Sequence, residues 1–310
     1  MHNSTIPAGW LAFELSVLRR LKFKSVAIPF AGEPHLGFYL KRWGARVATN
    51  DLMRWAWTKA CAYVENNDAR LSEEDVELLL EDTYLPNDAL NNPALLKWFN
   101  ETDAFWFDNL RINASMLDSE VKCSLALSTG MAVGDYVLSF DEETRSLRQP
   151  LSLQDVFRRA WQSEPAPVNN SQRNTCSNTE ARAFLAEQHT DLLFLRLPLA
   201  AKKIEDRRRS LSAWREEWVR GGDGFWEEID RQQAGRLGSH AETRQQYLRF
   251  LEDLLHTAAH LRTWAIAFTE NGFVSTNEIV EAIARVRKVD SIYTKDFSEL
   301  MGVRATIITA

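Results

Sequence analysis

Cysteine is scarce in this 310-residue sequence: there are three, Cys61, Cys123 and Cys176, isolated from one another. That pattern excludes a disulfide-knit secreted scaffold and the closely spaced pairs of a structural zinc site, so unpaired thiols in a reducing compartment are expected. Histidine is also sparse. His256 and His260 stand four apart on a helical stretch, but no cysteine or carboxylate takes the third-ligand place, and a helical role rather than a metal is expected. Long apolar runs are missing too: Leu192 to Leu195 and Ala305 to Ile308 are strand-length, far short of the roughly 20 residues a membrane span needs. Met1-His2-Asn3-Ser4-Thr5 has neither the basic start nor the apolar core of a signal peptide, and a soluble cytoplasmic protein is the expectation. Finally, basic residues are in deficit, 37 against 43 acidic ones, for a net charge of −6. A surface that is basic throughout is excluded, because Lys and Arg supply most non-specific affinity for phosphate. Local patches remain: Arg19-Arg20 with Lys22 and Lys24, Arg158-Arg159, and the strongest, Lys202 and Lys203 followed by Arg207, Arg208 and Arg209.

What is present is enough apolar residue, 45%, for one large domain or a core with an inserted lobe. From Lys24 onward short apolar runs alternate with helical periods, the pattern of a parallel sheet wound with helices. Ser25 to Phe30 reads as a first strand, Ala31 to His35 as a sharp turn, Leu36 to Trp43 as a short helix, and Ala45 to Thr49 as a second strand ending at Asn50-Asp51. Residues 52–171 show Trp, Phe and Leu at helical spacing, as in Leu95-Leu96-Trp98-Phe99, and close on a Pro- and Asn-rich linker; they are expected to form an inserted helical lobe. Residues 1–51 and 172–310 would then make the α/β core. Its later strands are expected at Asp191 to Leu197, Trp264 to Phe268, Asp290 to Tyr293 and Ala305 to Thr309. Between them lie a charged helical segment, 201–262, interrupted at Gly221-Gly222-Asp223-Gly224, and a helix from Asn277 to Val286. Ser275 followed by Glu278 predicts a capping box at the start of that helix.

The first strand, its turn Pro29-Phe30-Ala31-Gly32, and the second strand ending in Asn50-Asp51 resemble the cofactor motif of the Dam-like, D12 class of adenine-N6 DNA methyltransferases. In such a motif a glycine turn lets backbone N–H groups approach the cofactor, and an acid at the second strand tip accepts its ribose hydroxyls. The order of the remaining pieces is similar as well: an inserted lobe in the place of target recognition, then an apolar strand in the place of the catalytic strand. The resemblance implies a Rossmann-like S-adenosylmethionine-dependent methyltransferase fold, with Pro29, Phe30, Gly32, Asn50 and Asp51 at the cofactor.

Two departures fall on functional positions. Where the family carries Asp-Pro-Pro-Tyr this chain reads Arg196-Leu197-Pro198-Leu199, and no Asp-Pro occurs elsewhere in it. Arg196 can only donate hydrogen bonds, so it cannot accept them from an adenine amine, and Leu199 offers no ring to stack on a flipped base. In the glycine turn, Glu33-Pro34-His35 adds a negative charge and removes an N–H donor, and weakened or lost cofactor binding is expected unless a cation such as Arg111 or Lys24 offsets Glu33. The expected function is therefore a degenerate, inactive methyltransferase-like protein that binds DNA or a protein partner, in the restriction or phage-defence setting the family implies. The alternatives are an active adenine-N6 methyltransferase whose motif has drifted and a scaffold that binds no cofactor.

Overall fold

The computed structural model describes residues 9–82, 89–140, 144, 151–199, 208, 210–270, 272–297 and 302–310. At its centre is a seven-stranded mixed sheet: β1 (Ser25–Ile28), β2 (Arg46–Asn50), β3 (Thr175–Ser177), β4 (Leu192–Arg196), β5 (Thr263–Glu270), β6 (Ser291–Phe297) and β7 (Val303–Thr309). Their spatial order is β3-β2-β1-β4-β5-β7-β6, with β3 through β5 parallel and β7 antiparallel between β5 and β6. This is a Rossmann-like α/β arrangement, in which the chain winds outward in both directions from β1 and β4.

Alternation along each strand divides the core in two. Val26, Ile28, Val47, Leu192, Phe194, Ala265 and Ile307 face α1 (Trp10–Leu18) and α2 (His35–Arg42). Ala27, Ala48, Leu193, Leu195, Ile266 and Ile308 face the opposite way. There they meet α8 (Ala181–Ala186), α11 (Arg244–Thr257) and α12 (Thr276–Ala284). Strands covered on both faces need continuous apolar runs, which is why β1 and β4 were conspicuous in the sequence. The predicted Ser275–Glu278 capping box is present at α12. At the opposite end of the sheet Asp191 accepts hydrogen bonds from the Lys24 and Ser25 N–H groups at 2.9 and 3.1 Å, tying the starts of β1 and β4 together.

Between β2 and β3 the chain builds helices: α3 (Arg54–Ala60) running into a π-turn (Cys61–Glu65), α4 (Glu73–Leu80), a 3₁₀ turn (Pro93–Lys97), α5 (Glu101–Ala114), α6 (Glu120–Leu138) and α7 (Leu153–Gln162). Their shared core also takes in two residues from beyond β4, Trp214 and Trp218 of α9 (Ala213–Arg220). Gly130 and Gly134 of α6 make room for them. A Cβ at Gly130 would stand 2.3 Å from the Trp218 ring and one at Gly134 2.2 Å from the Trp214 ring, so only glycine fits without rearrangement. The charged stretch that follows breaks at Gly221 as expected; α10 (Trp226–Gln233) and α11 come after it.

One expectation is corrected outright. Cys61 and Cys176 are paired in a disulfide, with Cα atoms 5.9 Å apart; folding brings the start of the π-turn against β3. Cys123 is free. Among the described residues no helix is long and apolar enough to cross a membrane.

Candidate cofactor and target site

In a doubly wound sheet the ligand crevice lies outside the carboxyl ends of the strands, where the winding reverses. Here that point is the gap between β1 and β4, and both motifs singled out in the sequence border it. Gly32 sits in the left-handed region, φ +52°, and donates its N–H to Asp51 Oδ2 at 2.8 Å. The second oxygen, Oδ1, accepts the Met53 N–H at 2.9 Å. Asp51 thus links the glycine turn to the entry of α3. Asn50 is buried behind it, donating to the carbonyls of Pro29 and Thr179 and accepting from Thr179 N–H. Gly32, Asn50 and Asp51 are brought together: Gly32 binds Asp51, and Asn50 braces the same turn through Pro29 and Ala31.

Glu33 is offset, but by neither cation named from the sequence. Lys59 Nζ reaches both its carboxylate oxygens at 2.9 and 3.0 Å, and Arg215 Nη1 lies 2.7 Å from Oε1. Burial pushes the Glu33 carboxyl up; Lys59 and Arg215 outweigh it and hold the group below its usual range. Arg215 also donates to Asp135 from Nε at 3.0 Å, and its guanidinium covers the Trp55 ring. Two cations meet two anions in this cluster, leaving no spare positive charge for an incoming carboxylate. Arg111 is paired instead with Asp108, and Lys24 stands at the opposite end of the sheet, beside Asp191.

At the end of β4, Arg196 turns away from the crevice. Its Nε and Nη2 donate to the two oxygens of Glu14 at 2.9 and 2.8 Å, a bidentate pair that fastens α1 to the sheet. Glu14 is fully buried and also accepts from Trp10 Nε1. Burial raises its carboxyl above the usual range even though Arg196 opposes the shift. Leu197 is buried in the core, the Pro198 carbonyl accepts the Tyr247 hydroxyl at 2.8 Å, and Leu199 is exposed. Among the described residues of Arg196 to Leu199 none carries a carboxylate, and the one that meets Arg196 is committed to that ion pair.

The chain itself approaches the gap between the two strands. Leu237 and Ala241 are buried in the same core as Leu195 and Leu197. A Cβ at Gly238, where φ is +98°, would lie 3.6 Å from Phe30 and 3.9 Å from Pro198. The two motifs therefore meet across a segment of this chain.

No protein-family model matches the chain, and no curated protein does. Its function must be read from its own residues. The residues that sequence reasoning missed lie mostly on α9. Besides Arg215, the buried Glu216 accepts the N–H groups of Arg54 and Trp55, both at 2.9 Å, and so caps α3, whose own N-cap residue Met53 has no side-chain acceptor. Glu217 accepts from Trp98 Nε1 at 2.8 Å and Trp226 Nε1 at 3.0 Å. Only the density of charge and tryptophan in Ala213–Arg220 hinted at such work. Of the basic patch, Lys202, Lys203, Arg207 and Arg209 lie outside the described residues; Arg208 lies 3.8 Å from Asp230. Arg19 and Arg20 stack over Trp43 and Tyr293.

Proposed function

We propose that this chain is a methyltransferase-like protein of the Dam-like class that no longer transfers methyl groups and acts as a DNA-binding or partner subunit, in a restriction or phage-defence assembly. The carrying observation is the Arg196–Glu14 pair. The side chain in the place of the catalytic acid is committed to holding α1, and an arginine cannot accept a hydrogen bond from the adenine amine. Losing that acceptor and the stacking ring together removes several kcal/mol of transition-state stabilisation, roughly three decades or more in rate. The sheet order, with its antiparallel β7 inserted beside β5, supports the methyltransferase-like ancestry.

At the ribose end of S-adenosylmethionine, Asp51 keeps the acid the motif needs, but its two oxygens already accept the Gly32 and Met53 N–H groups, and the methionyl end does not fit. Glu33 and the charge-balanced cluster around it oppose another carboxylate, and Pro34 supplies no N–H donor. Weak or absent cofactor binding follows. The test is incubation with labelled S-adenosylmethionine and adenine-containing DNA. Label in the DNA no higher than in a buffer control is expected; incorporation at the rate of a working methyltransferase would overturn the proposal and restore the active-enzyme reading. Gel shifts across a salt series then separate the two binding roles. Weak retention that fades with salt marks a DNA-binding subunit, and no retention at the lowest salt leaves a protein partner.

A further inference from the structure

The helical insertion enters and leaves the sheet beside a single cysteine pair. Cys61 opens the π-turn after α3, Cys176 is the middle residue of β3, and the disulfide spans a sequence separation of 115. Glu65, at the other end of the same π-turn, completes the cluster. Its Oε2 lies 2.6 Å from Cys176 Sγ and 3.9 Å from Cys61 Sγ, and accepts the Cys176 N–H at 3.3 Å. The π-turn, closed by Asn66 N–H on the Cys61 carbonyl at 3.1 Å, is what sets Cys61 and Glu65 together against β3. Such single π-turns inside helices are frequent at functional sites. Cys61 is buried and Cys176 half-buried, so a small reagent meets Cys176 before Cys61.

We propose that Cys61 and Cys176 are a reversible dithiol–disulfide couple that exchanges with a low-molecular-weight disulfide of the glutathione type, with Cys176 as the exchanging sulfur, Cys61 as the resolving one and Glu65 as the proton acceptor. In the oxidising direction Glu65 takes the Cys176 proton, and the thiolate attacks one sulfur of the small disulfide. The S–S bond of the reagent breaks, and its first thiolate leaves with the proton held by Glu65. Cys61 then loses its proton and attacks the Cys176 sulfur of the mixed disulfide, expelling the second small thiolate, which takes that proton. Two protein thiols are oxidised and one small disulfide is reduced to two thiols; reduction runs the same steps backward. Burial raises the Glu65 carboxyl, bringing it closer to a thiol in basicity; Glu120 adds to this, while Arg173 and the Cys176 N–H oppose it. Oxidation closes residues 61–176 into one loop around the helical insertion.

The test equilibrates the full chain in glutathione buffers of stepped ratio, quenches with acid, alkylates, and maps the three cysteines by mass spectrometry. Cys61 and Cys176 should pass together from alkylated to linked, with Cys123 alkylated throughout. Cys61→Ser should accumulate glutathione on Cys176, and Glu65→Gln should slow exchange by roughly tenfold or more without moving the end point. Should Cys61→Ser not fold, the wild-type titration still decides. Two cysteines that stay alkylatable in the most oxidising buffer would overturn the couple, as would a bond that survives the most reducing one. Two thiols and a carboxylate are also a donor set for zinc, so one equivalent of tightly held zinc in the purified chain, shielding both thiols, would likewise overturn it. Exchange in Glu65→Gln at the wild-type rate would remove Glu65 from the mechanism.

Discussion

Replacing Arg196 with methionine tests the central assignment, that this residue holds α1 rather than serving chemistry. The side chain keeps comparable length but loses both hydrogen bonds to Glu14, at 2.9 and 2.8 Å, leaving a fully buried carboxylate with Trp10 as its donor among the described residues. Breaking a buried ion pair from one side costs about 3–5 kcal/mol, because the partner charge is stranded. At about 2 °C per kcal/mol for a chain of this size, the melting temperature should fall by about 6–10 °C. The double variant Glu14→Leu with Arg196→Met removes both charges and should recover most of that loss, so a double-mutant cycle should return a coupling of about 2 kcal/mol or more. The pH dependence fixes the cause. Glu14 already has a raised carboxyl, and losing Arg196 raises it further. A carboxyl raised in the folded state contributes stability that is fully present below its unfolded value and lost as pH rises through the folded one. The Arg196→Met deficit should therefore be largest at neutral pH and shrink as pH falls toward about 4.5, below which Glu14 is protonated in both folded and unfolded states. Urea denaturation of the four proteins of the cycle at pH 7 and pH 4 reads both effects. A single-variant loss under about 1 kcal/mol at pH 7, or one that does not shrink in acid, would refute the stranded-charge reasoning.

Two further outcomes follow from packing and titration. Gly130→Ala places a methyl inside the Trp218 ring and should cost about 1–3 kcal/mol in urea denaturation, whereas Gly222→Ala, where a Cβ meets nothing within 4 Å, should stay within about 0.5 kcal/mol. Glu164, half-buried against Thr129 and Tyr63, has its carboxyl pushed up to about 7 by desolvation. Its contribution is present below about pH 4.5 and lost as pH rises through about 7, so melting temperature should decline across that window in the wild type and decline less in Glu164→Gln.

What could be read from the sequence was whatever neighbouring residues decide. The apolar runs of β1, β2, β4, β5 and β7 and the Ser275 cap all write their structure within about ten residues. β3 left no such trace: Thr175–Ser177 is three half-exposed residues, and only pairing with β2 makes it a strand. α1 carries no such mark either: its apolar residues share no clear helical face, and its buried positions include the charged Glu14. At the site, Arg196 is legible as a lost acceptor, but its partner Glu14 lies 182 residues away, and nothing local points to Lys59 and Arg215 rather than Arg111 and Lys24 beside Glu33. Cys61 and Cys176, 115 residues apart, read as isolated for the same reason. Partners fixed by folding carry no local mark.

The two tryptophans of α9 have a consequence for how the chain is made. Helices α3 to α7 leave the ribosome with the Gly130 and Gly134 notch of α6 uncovered, because Trp214 and Trp218 are translated about 80 residues after that helix ends. At about 5–20 residues per second, that interval lasts roughly 4–16 s. For that time the nascent insertion carries an unfilled aromatic-sized cleft, open to chaperones or to a foreign helix. Its folding is therefore timed by synthesis of a segment on the far side of β4.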